Sequence, residues 1–88
     1  MMKYFKTFIN DVRFTDNKDL NTRIVNALRR SDIEYLDFLI ILYLQGKLYQ
    51  TLLRIRNLGK KSIDCICNYV ALYWNCIKGE DGEEYGNQ

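Results

Sequence analysis

The sequence predicts an all-α protein, a compact bundle of four to five short helices. None of the 88 residues is proline, so no position forces a break inside a helix. Gly46 and Gly59 are the only glycines before the last ten residues. Apolar residues make up 48% of the sequence and recur at helical spacing, without the alternation that is typical of strands.

This spacing predicts five helical segments. The first places Phe5, Phe8 and Val12 on one face. The second begins after Asn21, a residue type that is common at helix N-caps. The segments run from about Tyr4 to Val12, Thr22 to Arg30, Glu34 to Leu44, Tyr49 to Ile55, and Lys60 to Cys76.

The third segment follows Asp32, a candidate cap, and contains the apolar run from Leu36 to Leu44. That run is rich in leucine rather than valine and threonine, which favours a helix. It is far shorter than the roughly 20 residues needed to cross a bilayer, so no membrane contact is predicted. The connection from Arg56 to Gly59 is short, so the fourth and fifth segments are predicted to form a helix–hairpin–helix.

The protein is long enough for one domain. We predict an N-terminal helical extension over residues 1–15, a helical domain over 16–78 and a disordered acidic tail over 79–88. The tail holds four acidic side chains and no base, whereas residues 21–61 hold eight basic and three acidic ones. The net charge of +2 therefore hides a basic body and an acidic tail.

Residues that support catalysis are scarce. The absence of histidine removes the usual neutral-pH base and excludes Ser–His and Cys–His pairs. Cys65, Cys67 and Cys76 lack CxxC spacing and a fourth ligand, so reduced, half-buried thiols are more consistent with the pattern than a zinc site. We therefore predict a non-enzymatic protein with no metal and no cofactor.

The stretch Gly59-Lys60-Lys61-Ser62 stands at a predicted helix start. Free backbone N–H groups and a partial positive charge occur there, and the lysines and the hydroxyl add to a phosphate site. The alternative is a turn glycine followed by solvated lysines. The local pattern alone does not decide between the two.

Arg23 is predicted in the first turn of the second helix, where the helix dipole disfavours a cation. Such a residue has either no role or a specific one. Arg29 and Arg30, at the other end of that helix, are explained by the dipole alone. The seven tyrosines fit packing of a small core better than stacking on single-stranded nucleic acid.

Two segments resemble one family. Residues 52–62, which end in Asn57-Leu58-Gly59-Lys60-Lys61-Ser62, are similar to the helix–hairpin–helix in the C-terminal domain of the bacterial RNA polymerase α subunit. Residues 19–28 resemble the family's acidic-Leu-x-x-Arg-x-x-Asn-x-Leu segment. The resemblance covers about residues 16–72 and implies a compact, SAM-domain-like helical fold.

The resemblance implies binding to A·T-rich duplex DNA. Arg23 would enter the minor groove, where narrow A-tracts concentrate negative potential, and Asn26 would bond a base edge or sugar. Gly59, Lys61 and Ser62 would hold the adjacent phosphate backbone. In this protein Ala27 replaces a frequent cysteine and Cys65 a frequent glutamate, and the region between the two matching segments is longer.

The family also contacts proteins, and Asp16 and Asp19 partly retain the stretch that faces the σ factor. Two functions follow. The first is a standalone, monomeric DNA-binding module of transcription or its regulation, in the cytoplasm and associated with the nucleoid. The second is a protein-interaction module that mimics the α domain and binds polymerase, a σ factor or an activator.

Overall fold

The computed structural model describes residues 7–86, and the side chains of residues 7–77. Over these residues a short 3-10 helix is followed by four α-helices, and no strand occurs. The predicted all-α class is confirmed. The 3-10 helix is Ile9–Asp11, and the α-helices are α1 (Lys18–Arg30), α2 (Leu36–Leu44), α3 (Leu48–Leu53) and α4 (Lys60–Gly86).

The helix predicted over the N-terminal segment is wrong where the structure describes it; residues 1–6 lie outside the described residues. Phe8 is extended and forms an isolated antiparallel bridge with Tyr35. The Ile9 N–H donates to the Glu34 carbonyl over 2.8 Å. The backbone of this segment therefore bonds to the α1–α2 loop and makes only one 3-10 turn of its own, and the apolar spacing that predicted a longer helix instead reflects burial of Ile9 and Val12.

The start of α1 also differs from the prediction. Its N-cap is Asn17, whose side-chain oxygen accepts from the Leu20 N–H over 3.0 Å, and Asn21 lies inside the helix. The Asn21 oxygen instead accepts from the Phe14 N–H over 2.7 Å, and its amide nitrogen donates to the Val12 carbonyl over 3.1 Å. Asn21 thus ties the N-terminal segment to the helix.

Asp32 does not cap α2, which begins at Leu36 rather than Glu34. It ends α1 instead: Asp32 has a φ of 65°, and the next N–H, that of Ile33, donates to the Leu28 carbonyl over 2.9 Å. This pattern is a Schellman motif, in which a left-handed residue closes the helix C-terminus. Gly46, with a φ of 73°, closes α2 in the same way.

α3 covers Leu48–Leu53 and ends two residues before the predicted Ile55. α4 begins at Lys60 as predicted, but it continues to Gly86 instead of ending near Cys76. The helix therefore runs into the segment predicted to be a disordered tail. No proline interrupts that segment, so nothing in the backbone forces an earlier end.

One core joins all of these elements. α2 packs on α3 and α4, and α3 packs on α4, while α1 packs on the 3-10 helix. Since Ile9, Val12 and Phe14 are buried, the core extends before residue 16. The division of the protein at residues 15 and 78 stays a prediction. The most completely buried large side chains are Ile9, Ile24, Leu28, Leu36, Leu39, Ile40, Leu52, Ile66 and Val70.

Candidate nucleic-acid interface

α3 and α4 form the predicted helix–hairpin–helix, with residues 54–59 as the connection. The backbone leaves α3 through a tight turn in which the Ile55 N–H donates to the Leu52 carbonyl over 3.1 Å. Asn57 takes the left-handed conformation with a φ of 69°, which asparagine tolerates better than most residues. Leu58, half-buried, packs against the core and fixes the hairpin on the bundle.

Gly59 is not required by the fold itself. Its backbone is outside the left-handed region, and a Cβ placed on it would meet no atom within 4 Å. Its carbonyl accepts from the Ile63 N–H over 3.0 Å, so it stands at the N-cap of α4. The N–H groups of the first turn of α4 then have no acceptor within the helix.

The start of α4 lies beside α1. Arg23 and Lys61, from these two helices, line one surface depression together with Asn17, Asp19 and Leu20. Arg23 and Lys61 are both exposed. The fold therefore brings together two basic residues that are far apart in the sequence.

A second depression continues from Arg23 along α1. It is lined by Arg23, Asn26, Ala27 and Arg30 of α1 and by Asn57 of the hairpin. Of the five residues in the predicted DNA site, Arg23 and Asn26 share this depression, while Lys61 shares the first one with Arg23.

A third depression is lined by Arg30, Arg54, Arg56 and Asn57, with Ala27 and Ser31. These first four residues were missed by the sequence reasoning. Arg30 could have been found, because it lies seven residues after Arg23 and therefore on the same face of a helix. We call the exposed basic side chains along the three depressions, together with the two amide side chains that line the second one, the basic face. It consists of Arg23, Asn26, Arg30, Arg54, Arg56, Asn57 and Lys61.

The positions of Arg23 and Ser62 differ from those expected from the sequence. Arg23 is the sixth residue of α1, beyond the first turn, so the helix dipole does not disfavour it. Ser62 is only 6% exposed, although it was expected to offer its hydroxyl to a phosphate.

Arg29 lies apart from its neighbour Arg30 and lines a different depression, with Phe8, Asn10 and Glu34.

Asp16 and Asp19 are exposed near the start of α1. Asp19 is in the first turn, where a carboxylate interacts favourably with the helix dipole, and it lines the depression that contains Arg23 and Lys61. Asp16 precedes the N-cap. Their role as a protein contact stays a prediction.

Comparison with known protein families decides what this fold is. Residues 9–71 match the family of the C-terminal domain of the bacterial RNA polymerase alpha subunit. The protein belongs to this family. No significant match occurs among curated proteins or solved structures. The matched region contains all seven residues of the basic face, and it begins before residue 16, where the resemblance was first placed.

Members of the alpha C-terminal domain family are in general DNA-binding, non-catalytic domains of transcription. Burial, and to a lesser degree the nearby Asp64 charge, raise the pKa of Cys67, which disfavours the reactive thiolate. Burial, and to a lesser degree the neighbouring Tyr73, likewise raise the pKa of Tyr69.

Neither a membrane segment nor a metal cluster is found in the described part of the protein. Over these residues no helix combines the length and the apolar character needed to cross a bilayer. No group of three or more potential His, Cys, Asp or Glu ligands comes together there.

Proposed function

We propose that this protein is a non-catalytic, DNA-binding module of transcription or its regulation that binds A·T-rich duplex DNA. Arg23 and Asn26 contact the minor groove, and Gly59, Lys61 and Ser62 contact the adjacent phosphate backbone. It acts as a monomer in the cytoplasm, associated with the nucleoid.

One observation carries the proposal: the fold sets Arg23 of α1 next to Lys61 at the start of α4, and Asn26 next to Asn57 of the hairpin that leads into α4. A side chain that reaches base edges and a helix start that faces phosphates are the two kinds of contact that such binding needs. Arg23 supplies the charge that a narrow A·T-rich minor groove attracts. Lys61 supplies a point charge for a phosphate.

Gly59 and Ser62 support the same arrangement in a different way. The space around Gly59 is open, so a phosphate can approach the backbone N–H groups of the first turn closely. Because Ser62 is nearly buried, its contribution comes mainly from its backbone N–H, with the hydroxyl in a secondary role. The phosphate contacts give affinity without sequence preference, and the preference comes from Arg23.

A chemical-shift titration with an A·T-rich and a G·C-rich duplex tests the proposal. We expect tighter binding to the A·T-rich duplex and shifts centred on α1 and the start of α4. Arg23→Ala should weaken binding by about 1–3 kcal/mol, which is roughly 5- to 150-fold, and should reduce the preference for A·T.

Arg29→Ala is the matched control, because Arg29 is an exposed arginine of the same helix that lines a different depression. It should leave affinity and preference nearly unchanged. Equal effects of the two substitutions, or none from Arg23→Ala, would contradict the role of Arg23.

The second candidate is a protein-interaction module that mimics the α domain and binds polymerase, a σ factor or an activator. The observation in its favour is the exposed apolar side of α2, where Phe38, Ile41 and Leu44 are each about half exposed (45%, 47% and 55%). Exposed apolar side chains that share a helix face often mark an interface. Purified polymerase, σ factor and activator, added in the absence of DNA, should then shift the α2 amide signals. If none of these proteins shifts the α2 signals, and the protein does bind DNA in the titration, this candidate is excluded.

A further inference from the structure

Three arginines extend the basic face beyond the residues used in the proposed function. Arg30 ends α1, Arg54 is the C-cap of α3, and Arg56 lies in the hairpin. All three are exposed and line the same depression, and no acidic residue lines it with them. We call Arg30, Arg54 and Arg56 the arginine ridge.

The three depressions form a row. The first, with Lys61, shares only Arg23 with the second. The second shares Ala27, Arg30 and Asn57 with the third, which contains the ridge. The first and the third share no residue. The central depression, which Arg23 and Asn26 line, therefore connects the depression that contains Lys61 with the one that contains the arginine ridge.

The spacing along α1 matches the dimensions of DNA. Arg23 and Arg30 are seven residues apart, which is a rise of about 10 Å along a helix. The minor groove of B-DNA is about 6 Å wide. If Arg23 is inside the groove and the axis of α1 runs across it, Arg30 is beyond its edge, at the level of the sugar–phosphate backbone.

We propose that the arginine ridge binds phosphates of the DNA strand opposite the strand held by Gly59, Lys61 and Ser62. The domain then contacts both strands that border the minor groove, with Arg23 between them. This inference rests on the proposed function, since it assigns the second half of the same DNA interface. Arginine suits this role because its planar guanidinium can bind a phosphate through two parallel hydrogen bonds.

The salt dependence of binding gives the first test. Affinity for one A·T-rich duplex is measured over a series of salt concentrations for the unsubstituted protein and for Arg30→Ala and Arg56→Ala. The slope of log K against log salt is negative, and each lost phosphate contact should reduce its magnitude by about 1. The ratio of A·T-rich to G·C-rich affinity should stay unchanged, because the ridge contacts no base.

Arg29→Ala again serves as control, since it removes an equal charge next to Arg30 but from a different depression. It should leave the slope nearly unchanged. If the slope becomes shallower by the same amount in Arg29→Ala and Arg30→Ala, only the total charge of the protein matters. A slope that stays the same in both ridge variants would mean that the arginines face another anionic partner, such as an acidic protein. Either outcome overturns the proposal.

The strand assignment has its own test. Uncharged methylphosphonate linkages are placed along the minor groove on one strand at a time. The linkages on one strand should weaken DNA binding by the unsubstituted protein, but should not further weaken binding by the Arg30→Ala/Arg56→Ala double variant. The linkages on the other strand should show this relation with Lys61→Ala. If both variants respond to the same strand, the two-strand arrangement is wrong.

These results also separate the inference from the proposed function. If the unsubstituted protein binds neither duplex, the proposed function fails and the inference fails with it. If it binds A·T-rich DNA through Arg23 but the ridge variants keep the full salt slope, only the inference fails. Circular dichroism of each variant shows whether the fold is intact.

Discussion

The two glycines that precede the last ten residues lie in similar turns and have different roles. Gly46 joins α2 to α3 and takes a left-handed φ of 73°. Gly59 ends the connection between α3 and α4, where Asn57 takes the left-handed conformation instead. The fold therefore uses Gly46 for its own backbone, whereas nothing in the described part of the molecule requires a glycine at position 59. A glycine that the fold does not need is available for a ligand.

The largest expected effect comes from the helix that separates the two turns. Leu52 of α3 is fully buried in the core. Leu52→Ala should lower the free energy of unfolding by about 2–5 kcal/mol, because it removes apolar contacts and leaves a cavity. Urea denaturation measures this loss. The control is Leu53→Ala, since Leu53 is 57% exposed and its truncation should cost far less. If the two variants lose equal amounts of unfolding free energy, the packing of Leu52 in the core is not what stabilises α3 and the turns on either side of it.

Gly46→Ala should cost the next largest amount, about 1–2 kcal/mol. An alanine at a φ of 73° is strained even though its Cβ would meet no atom within 4 Å. Thermal unfolding measures the loss, while DNA affinity at a temperature where the variant is folded should not change. A loss of affinity in the folded variant would mean that the α2–α3 turn takes part in binding.

Asn57→Ala should destabilise the protein by somewhat less, up to about 1 kcal/mol. Both residues have a Cβ, but alanine lacks the polar side chain that helps asparagine to adopt the left-handed conformation. Asn57→Gly is the matched control and should be near neutral in stability. Both variants remove the amide that lines the basic face. If the two weaken DNA binding equally, the side chain matters for binding; if only Asn57→Ala does, the turn conformation matters.

Gly59→Ala should have the smallest effect on stability. We expect a change close to zero, because the gain of about 0.4–1 kcal/mol from restricting the unfolded state is offset by the poorer fit of alanine than of glycine at an N-cap. DNA affinity should nevertheless fall, since a methyl group would separate a phosphate from the first turn of α4. A variant that is clearly less stable would show that Gly59 has a role in the fold. Unchanged affinity would contradict close approach of a phosphate.

The sequence predicted the fold class, the start of α4 and the hairpin, because those features depend on local signals and on a specific motif. It did not predict the N-terminal segment, where the spacing of Ile9 and Val12 is satisfied by a backbone that is not α-helical. It also misplaced the cap of α1, since both Asn17 and Asn21 are good capping residues and only tertiary contacts distinguish them. α2 is a helix, as its apolar run predicted, but Ile41 in that run is 47% exposed.

The candidate site was predictable in part. Resemblance to a family predicted Arg23, Asn26 and Lys61, and the fold places them along one surface. Arg30 was assigned to the helix dipole because its neighbour Arg29 suggested a charged helix end. Arg54 and Arg56 could not be placed from the sequence, since their position relative to α1 depends on how the hairpin packs against the bundle.

The N-terminal segment holds α1 at both ends. Near its start, the Asn21 side chain binds the backbone of Val12 and Phe14; after its end, the backbone of Ile9 binds that of Glu34. Opening α1 from either end therefore requires the release of the same segment. In amide hydrogen exchange, α1 and the Ile9 amide should behave as one cooperative unit with a shared opening free energy. The spacing of Arg23, Asn26 and Arg30 is then fixed before any DNA is bound.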